Sequence, residues 1–211
     1  MNIIHHELFT EEFLLGQLKL VRLRGFGQPL VYEHARLKVI SGVHPKNLRP
    51  PQRYVLRPNV GAILDVADSF EKLGVDVFSM RGGLRFWTEG SDPEKDPAIP
   101  LLPPIIEGSV EPSGTRIPLI NDGMHRVYAA KSRGRTLTIV LAVDVPQEYP
   151  YYAYAISEGW AGVEEIDELT EGYKKKEYRD PDNYKALFRD FNKVFPGVQE
   201  QRKQTQPELK E

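Results

Sequence analysis

The run from Thr136 to Val143 constrains this chain most. It is apolar and rich in β-branched residues without polar alternation, so a strand made from it has no face to give to water and must lie buried. Just before it, Met124 to Ser132 reads as a helix stopped by Gly134. Before that, Arg116 to Ile120 reads as a strand whose Pro118 belongs at a ladder edge. Pro104-Ile105-Ile106-Glu107 is a further short strand, followed by the turn Glu111-Pro112-Ser113-Gly114. Interleaved strands and helix of this kind specify an α/β fold of the mixed α+β type.

Upstream, Ile63, Val66, Ala67, Phe70 and Leu73 recur at helical spacing, which predicts an amphipathic helix over Gly61 to Leu73 closed by Gly74. Pro45 to Pro58 carries four prolines among polar and basic residues and predicts an ordered loop. Val31 to Ile40 is a strand candidate. Glu11 to Leu20 has a short helical pattern, and Gly25-Phe26-Gly27 marks a corner. Arg81 to Pro100 looks like an excursion inserted in the core, with Phe86-Trp87 buried. Downstream, Gln147 to Gly172 is acidic without Lys or Arg, and Tyr173 to Arg179 is basic. That split predicts two solvated helix faces or an internal pairing. Tyr149, Tyr151, Tyr152, Tyr154 and Trp160 read as packing against the core rather than as a base-stacking surface. Asp180-Pro181-Asp182 followed by Tyr184, Leu187, Phe188, Phe191 and Val194 predicts a helix from Asp182 to Phe195. The resulting division is an N-terminal extension over 1–45, a core over 46–145, a C-terminal helical addition packed on that core over 146–198, and a flexible tail over 199–211.

Composition narrows the function classes. With 211 residues and a formal net charge of −2, the chain lacks the bulk positive charge of a protein that coats nucleic acid. It contains no cysteine, which removes disulfides, thiolate metal sites and cysteine nucleophiles and agrees with a reducing, cytoplasmic compartment. Met1 to Thr10 lacks the apolar run of a signal peptide, and no segment reads as a membrane helix. His5 and His6 are adjacent and do not converge on a metal; no metal site is expected.

The segment Asp122-Gly123-Met124-His125-Arg126 carries the chemistry. It places a small, flexible approach between a strand and the first turn of a helix, where unbonded amides and the positive end of the macrodipole attract anions. Asp122 by itself is equally well an ordinary N-cap. His125 and Arg126 point to an anion, because a cation in a first turn opposes the macrodipole by about 0.3 to 1 kcal/mol. Arg126 would clamp oxygens, and His125 would donate or carry a proton.

The run Asp122-Gly-Met-His-Arg-Val-Tyr-Ala-Ala-Lys-Ser-Arg-Gly134 resembles the phosphate-binding signature of the ParB/sulfiredoxin superfamily, and the element order over Leu48 to Asp144 is similar to that fold. The resemblance implies a ParB/sulfiredoxin-like core that binds a nucleotide (ATP, ADP or CTP) through Gly123, Met124, His125 and Arg126. Arg53, in the arginine- and proline-containing loop Arg49 to Pro58, would add a phosphate contact. Sulfiredoxin activity requires a cysteine where Met124 stands, so it is excluded. ParB-type partitioning is disfavoured: its glutamine-arginine motif is not recognisable in Tyr151 to Glu171, and no helix-turn-helix domain follows. A branch of small-molecule kinases uses an early glutamate as base, for which Glu33 is the candidate, and nuclease activity has been ascribed to such domains.

Two readings stay open, and the sequence leans to the first, because His125 beside Asp122 and Arg126 is more than holding a phosphate requires. One is an enzyme of phosphoryl transfer or phosphoester cleavage, with Asp122, His125 and Glu33 as catalytic residues, Mg²⁺ bridging phosphates, and a small molecule or nucleic acid as substrate. The other is a nucleotide-sensing or nucleic-acid-associated module in which no bond is broken, for which a homodimer is one candidate assembly.

Overall fold

The computed structural model describes residues 1–198; the expected tail over 199–211 lies outside the described residues. The elements are β1 (Ile3–Leu8), α1 (Glu11–Leu18), β2 (Arg36–Val43), β3 (Tyr54–Leu56), α2 (Arg57–Glu71), β4 (Leu84–Thr88), β5 (Ile99–Leu101), β6 (Ile105–Val110), β7 (Arg116–Asp122), α3 (Met124–Ser132), β8 (Leu137–Val143) and β9 (Glu164–Ile166). The class is mixed α+β, as the sequence implies.

The central sheet runs β2-β8-β6-β7. Its heart is β8, parallel to β6 and antiparallel to β2; Leu137, Thr138, Ile139, Val140 and Ala142 on it are all buried, as an apolar run without alternation requires. Pro118 lies on β7, which is an edge strand. The missing amide of proline is tolerated there because no neighbour needs it.

Helix α2 begins four residues before its expected start, with Pro58 in its first turn, where a missing N–H costs nothing. Val60, Val66, Ala67 and Phe70 are its buried positions, whereas Leu73, expected on that face, is 49% exposed. Helices α2 and α3 pack together over one side of the central sheet, where Val60, Ala67, Val127 and Ala130 share a core with Ile106, Ile120 and Ile139.

The supposed excursion is a second sheet, β1-β4-β5. Phe86 and Trp87 are both buried although neighbours in a strand face opposite ways. Phe86 meets Phe70 edge-on at 5.4 Å, and Trp87 donates its indole N–H to the Asp96 carbonyl at 2.8 Å. His5 and His6 lie on opposite faces of β1: one ring sits against Trp87, the other against Phe70. The 1–45 segment is woven into this framework, since β2 pairs with β8 and Leu14 and Leu18 of α1 are fully buried.

The C-terminal helical addition is not what forms. Residues 146–198 contain β9, which pairs in parallel with β3, and three 3-10 turns, Gly159–Gly162, Tyr184–Leu187 and Asn192–Val194, and no α-helix. The aromatic stripe has helical spacing, but tertiary bonds take the carbonyls a helix would use. Ala186 and Phe188 accept from the amides of Gly25 and Arg24 at 2.9 and 3.1 Å, and the Leu187 carbonyl accepts from Arg189 at 2.7 Å. Gly25 allows this approach, because a Cβ there would collide with Ala186. Phe188 is consequently only part-buried, while Leu187 and Phe191 reach the main core. The acidic and basic stretches are neither helix faces nor each other's salt-bridge partners. Glu158 faces Arg53, Asp167 pairs with Arg57, and Arg179 pairs with Glu111.

Candidate functional site

Strand β7 ends at Asp122 and α3 starts two residues later. Gly123 makes the corner with φ 86°, a left-handed conformation natural to glycine. Gly123, not Asp122, holds the N-cap position, and no side chain caps the helix. The amides of Met124, His125 and Arg126 therefore have no carbonyl of the helix to bond. Asp122 instead pairs with Arg126 one turn on. The pair folds back over the glycine, whose missing side chain is what permits it: a Cβ would lie 3.0 Å from Nε and Nη2 of Arg126 and 3.1 Å from the Cα of Pro104.

Around this corner opens a cavity of about 310 Å³. Asp122, Gly123, Met124, His125 and Arg126 all line it, together with Gln52, Asn121, Tyr151, Tyr152 and Lys176. The two other expected residues are not brought in. Glu33 is 56% exposed at its side chain, beside His34, with its carbonyl held by Lys19. Arg53 faces Glu158 and Glu177 at 3.7 and 3.5 Å. Its neighbours Pro51 and Gln52 are the ones that reach the cavity.

The electrostatics differ from the sequence expectation. His125 is not a first-turn cation: its Nε2 accepts the Leu56 amide at 3.0 Å, and burial, opposed by Asp122 and aided by Arg126 and Lys176, lowers its pKa below 6.5. A neutral imidazole with Nε2 so engaged ties α3 to the start of α2 and does not offer that nitrogen to a substrate. Arg126, for its part, is matched by Asp122. The positive charge without a counterion is Lys176. Its ammonium donates to the hydroxyl of Tyr151 at 3.0 Å and to that of Tyr152, and among the described residues it has no carboxylate partner. Burial raises the Tyr151 pKa well above 10, helped by the adjacent Tyr152, so that phenol stays neutral and does not offset the ammonium.

Lys176, Asn121 and Gln52 were missed by sequence reasoning. Lys176 sits in a basic stretch that reads as solvated, and only folding lays it across the tyrosines. Tyr151 packs in the core as expected, with 2% of its surface exposed, yet it also walls the cavity. Among the described residues no three of His, Cys, Asp and Glu gather as a metal site, and no helix is long and apolar enough to cross a membrane.

A family model, the ParB CE domain, matches residues 13–164, more than two thirds of the chain. No curated protein and no solved structure matches. The matched span includes α2 and α3, the signature Asp122 to Gly134 and all four strands of the central sheet, while Lys176 lies beyond it. On this match the chain belongs to the ParB CE domain family and is a ParB-like protein of the ParB/sulfiredoxin superfamily.

Proposed function

We propose that the cavity at the start of α3 binds the phosphate groups of a nucleotide, with ATP, ADP and CTP as the candidate ligands. The observation that carries the reading is the Lys176 ammonium, without a carboxylate partner among the described residues, in the same cavity as the unbonded amides of the α3 first turn. A charged donor and a helix N-terminus in one cavity suit an anion with several oxygens. Arg126 adds a guanidinium as a second charged donor once the ligand competes for it with Asp122.

Holding the ligand is the better-supported reading than breaking a bond in it. His125 Nε2 accepts a backbone amide, Asp122 is engaged by Arg126, and Glu33 stands away from the cavity. Asp122 is the one carboxylate among the described lining residues, so Mg²⁺ would enter with the phosphates, which supply most of its oxygens. Phosphoryl transfer would need Asp122 to release Arg126 and take the metal or the attacking hydroxyl.

Calorimetric titration of ATP, ADP, CTP and GTP with Mg²⁺ tests the proposal. Lys176→Met should weaken the bound nucleotide by about 1.5 to 3 kcal/mol, roughly ten- to a hundredfold in Kd, the scale of a hydrogen bond to a charged group. Equal affinity in the variant removes the phosphate role of Lys176, and no binding by the wild type removes the nucleotide reading. Nucleotide turnover during the titration would move the assignment to the enzyme class.

A further inference from the structure

A polar chain behind the cavity has no part in holding phosphate. Glu107 on β6 and Arg189 in the C-terminal segment are both buried, joined by Nε to Oε1 at 2.8 Å and Nη2 to Oε2 at 3.2 Å. Facing an arginine in this two-point geometry, Glu107 is a carboxylate and can only accept. Tyr32 donates its hydroxyl to Glu107 Oε1 at 2.6 Å. Burial, then the neighbouring Glu107 charge, hold the Tyr32 pKa well above 10. The amide nitrogen of Asn121 then donates to Glu107 Oε1 and, at 2.6 Å, to the Tyr32 oxygen.

Chemistry fixes which way this amide faces. The reversed orientation would set a carbonyl against a carboxylate, with the NH₂ left without its two acceptors. The amide nitrogen of Asn121 is therefore engaged in the wall, and Oδ1 is the acceptor this lining residue has left. Of the other polar groups in the lining, the first-turn amides, Arg126 and Lys176 are donors that would meet phosphate, the Asp122 carboxylate is taken by Arg126, and Gln52 is tied through its amide nitrogen to the Tyr54 carbonyl. An acceptor among them repels phosphate oxygens and attracts a hydrogen on another part of the ligand.

We infer that Asn121 Oδ1 is a fixed acceptor that selects phosphate esters carrying a free hydroxyl beside the phosphate, as the sugar of a ribonucleotide does. Tyr32, Glu107 and Arg189 are positioning residues for it. The inference rests on the phosphate reading and deepens it.

The test is a calorimetric comparison of inorganic pyrophosphate, a ribonucleoside triphosphate and its 2′-deoxy and 3′-deoxy analogues, on wild type and Asn121→Ala. Pyrophosphate should bind both proteins equally. One deoxy analogue should bind the wild type roughly three- to tenfold more weakly than the ribonucleotide, the scale of one neutral hydrogen bond, and Asn121→Ala should lose that preference. Equal binding of all three nucleotides by the wild type overturns the inference, as does a variant that keeps the preference or loses pyrophosphate to the same degree. The analogue comparison needs no variant, so it decides even if Asn121→Ala fails to fold. Absence of both pyrophosphate and nucleotide binding in the wild type overturns the phosphate reading instead.

Discussion

Replacing Arg189 by methionine removes a guanidinium whose side chain is 1% exposed and leaves most of the apolar volume in place. In the folded protein that group satisfies both oxygens of Glu107 and the carbonyls of Pro150, Leu187 and Tyr149. After the change Glu107, itself 3% exposed at its side chain, keeps only Tyr32 and Asn121 as donors, which are neutral. Breaking one half of a buried pair costs about 3 to 5 kcal/mol, because an uncompensated charge stays out of water. For a chain of this size that is roughly 6 to 20 °C in Tm. The double variant Glu107→Leu with Arg189→Met removes the stranded charge together with its partner and should regain part of that loss. Thermal melts and urea titrations of the two single variants and the double measure the coupling directly. A loss under about 1 kcal/mol for Arg189→Met, against the several expected for a broken buried pair, would refute the reasoning, as would additive losses in the double variant.

Gly123→Ala should cost about 1 to 2 kcal/mol for an L-residue held in the left-handed region. It should also weaken pyrophosphate binding, since the new methyl lies against the Arg126 guanidinium and the Pro104 backbone; an unchanged melt would mean that the corner does not adopt φ 86°. His125 supplies a pH dependence. Burial lowers its folded-state pKa below 6.5, so the unfolded chain binds this proton more readily. The stability it contributes is complete above pH 6.5 and is lost as pH falls from there through the folded value. Urea midpoints should decline below that pH, and His125→Gln, which keeps an acceptor for the Leu56 amide, should flatten the decline. Parallel profiles for the two proteins would show that His125 is not the group responsible.

Local pattern carried a large part of the architecture. The apolar run of β8, the edge position of Pro118, the α3 limits Met124 to Ser132 and the buried face of α2 follow from periodicity, proline and glycine, each of which acts within a few residues. The site's corner was legible for the same reason: Asp122 to Arg126 is one continuous stretch. Its charge state was not. Whether His125 is a cation depends on burial and on an amide 69 positions away. Whether Arg126 is free depends on Asp122 giving up the capping role that its position suggests.

The C-terminal segment shows the limit most clearly. Its apolar spacing fits a helix, but helical bonding is a competition among donors for carbonyls, and here Arg24, Gly25 and Arg189 win. Only the folded chain brings those donors within reach, just as it lays Lys176 across two tyrosines and sets Glu107 against Arg189 across 82 positions. The sequence by itself determined the elements whose stability is local, together with the family signature written in one of them. The tertiary structure decided the partners, because a buried charge or carbonyl is satisfied by whatever donor the fold delivers, and separation along the chain sets no limit on which that is.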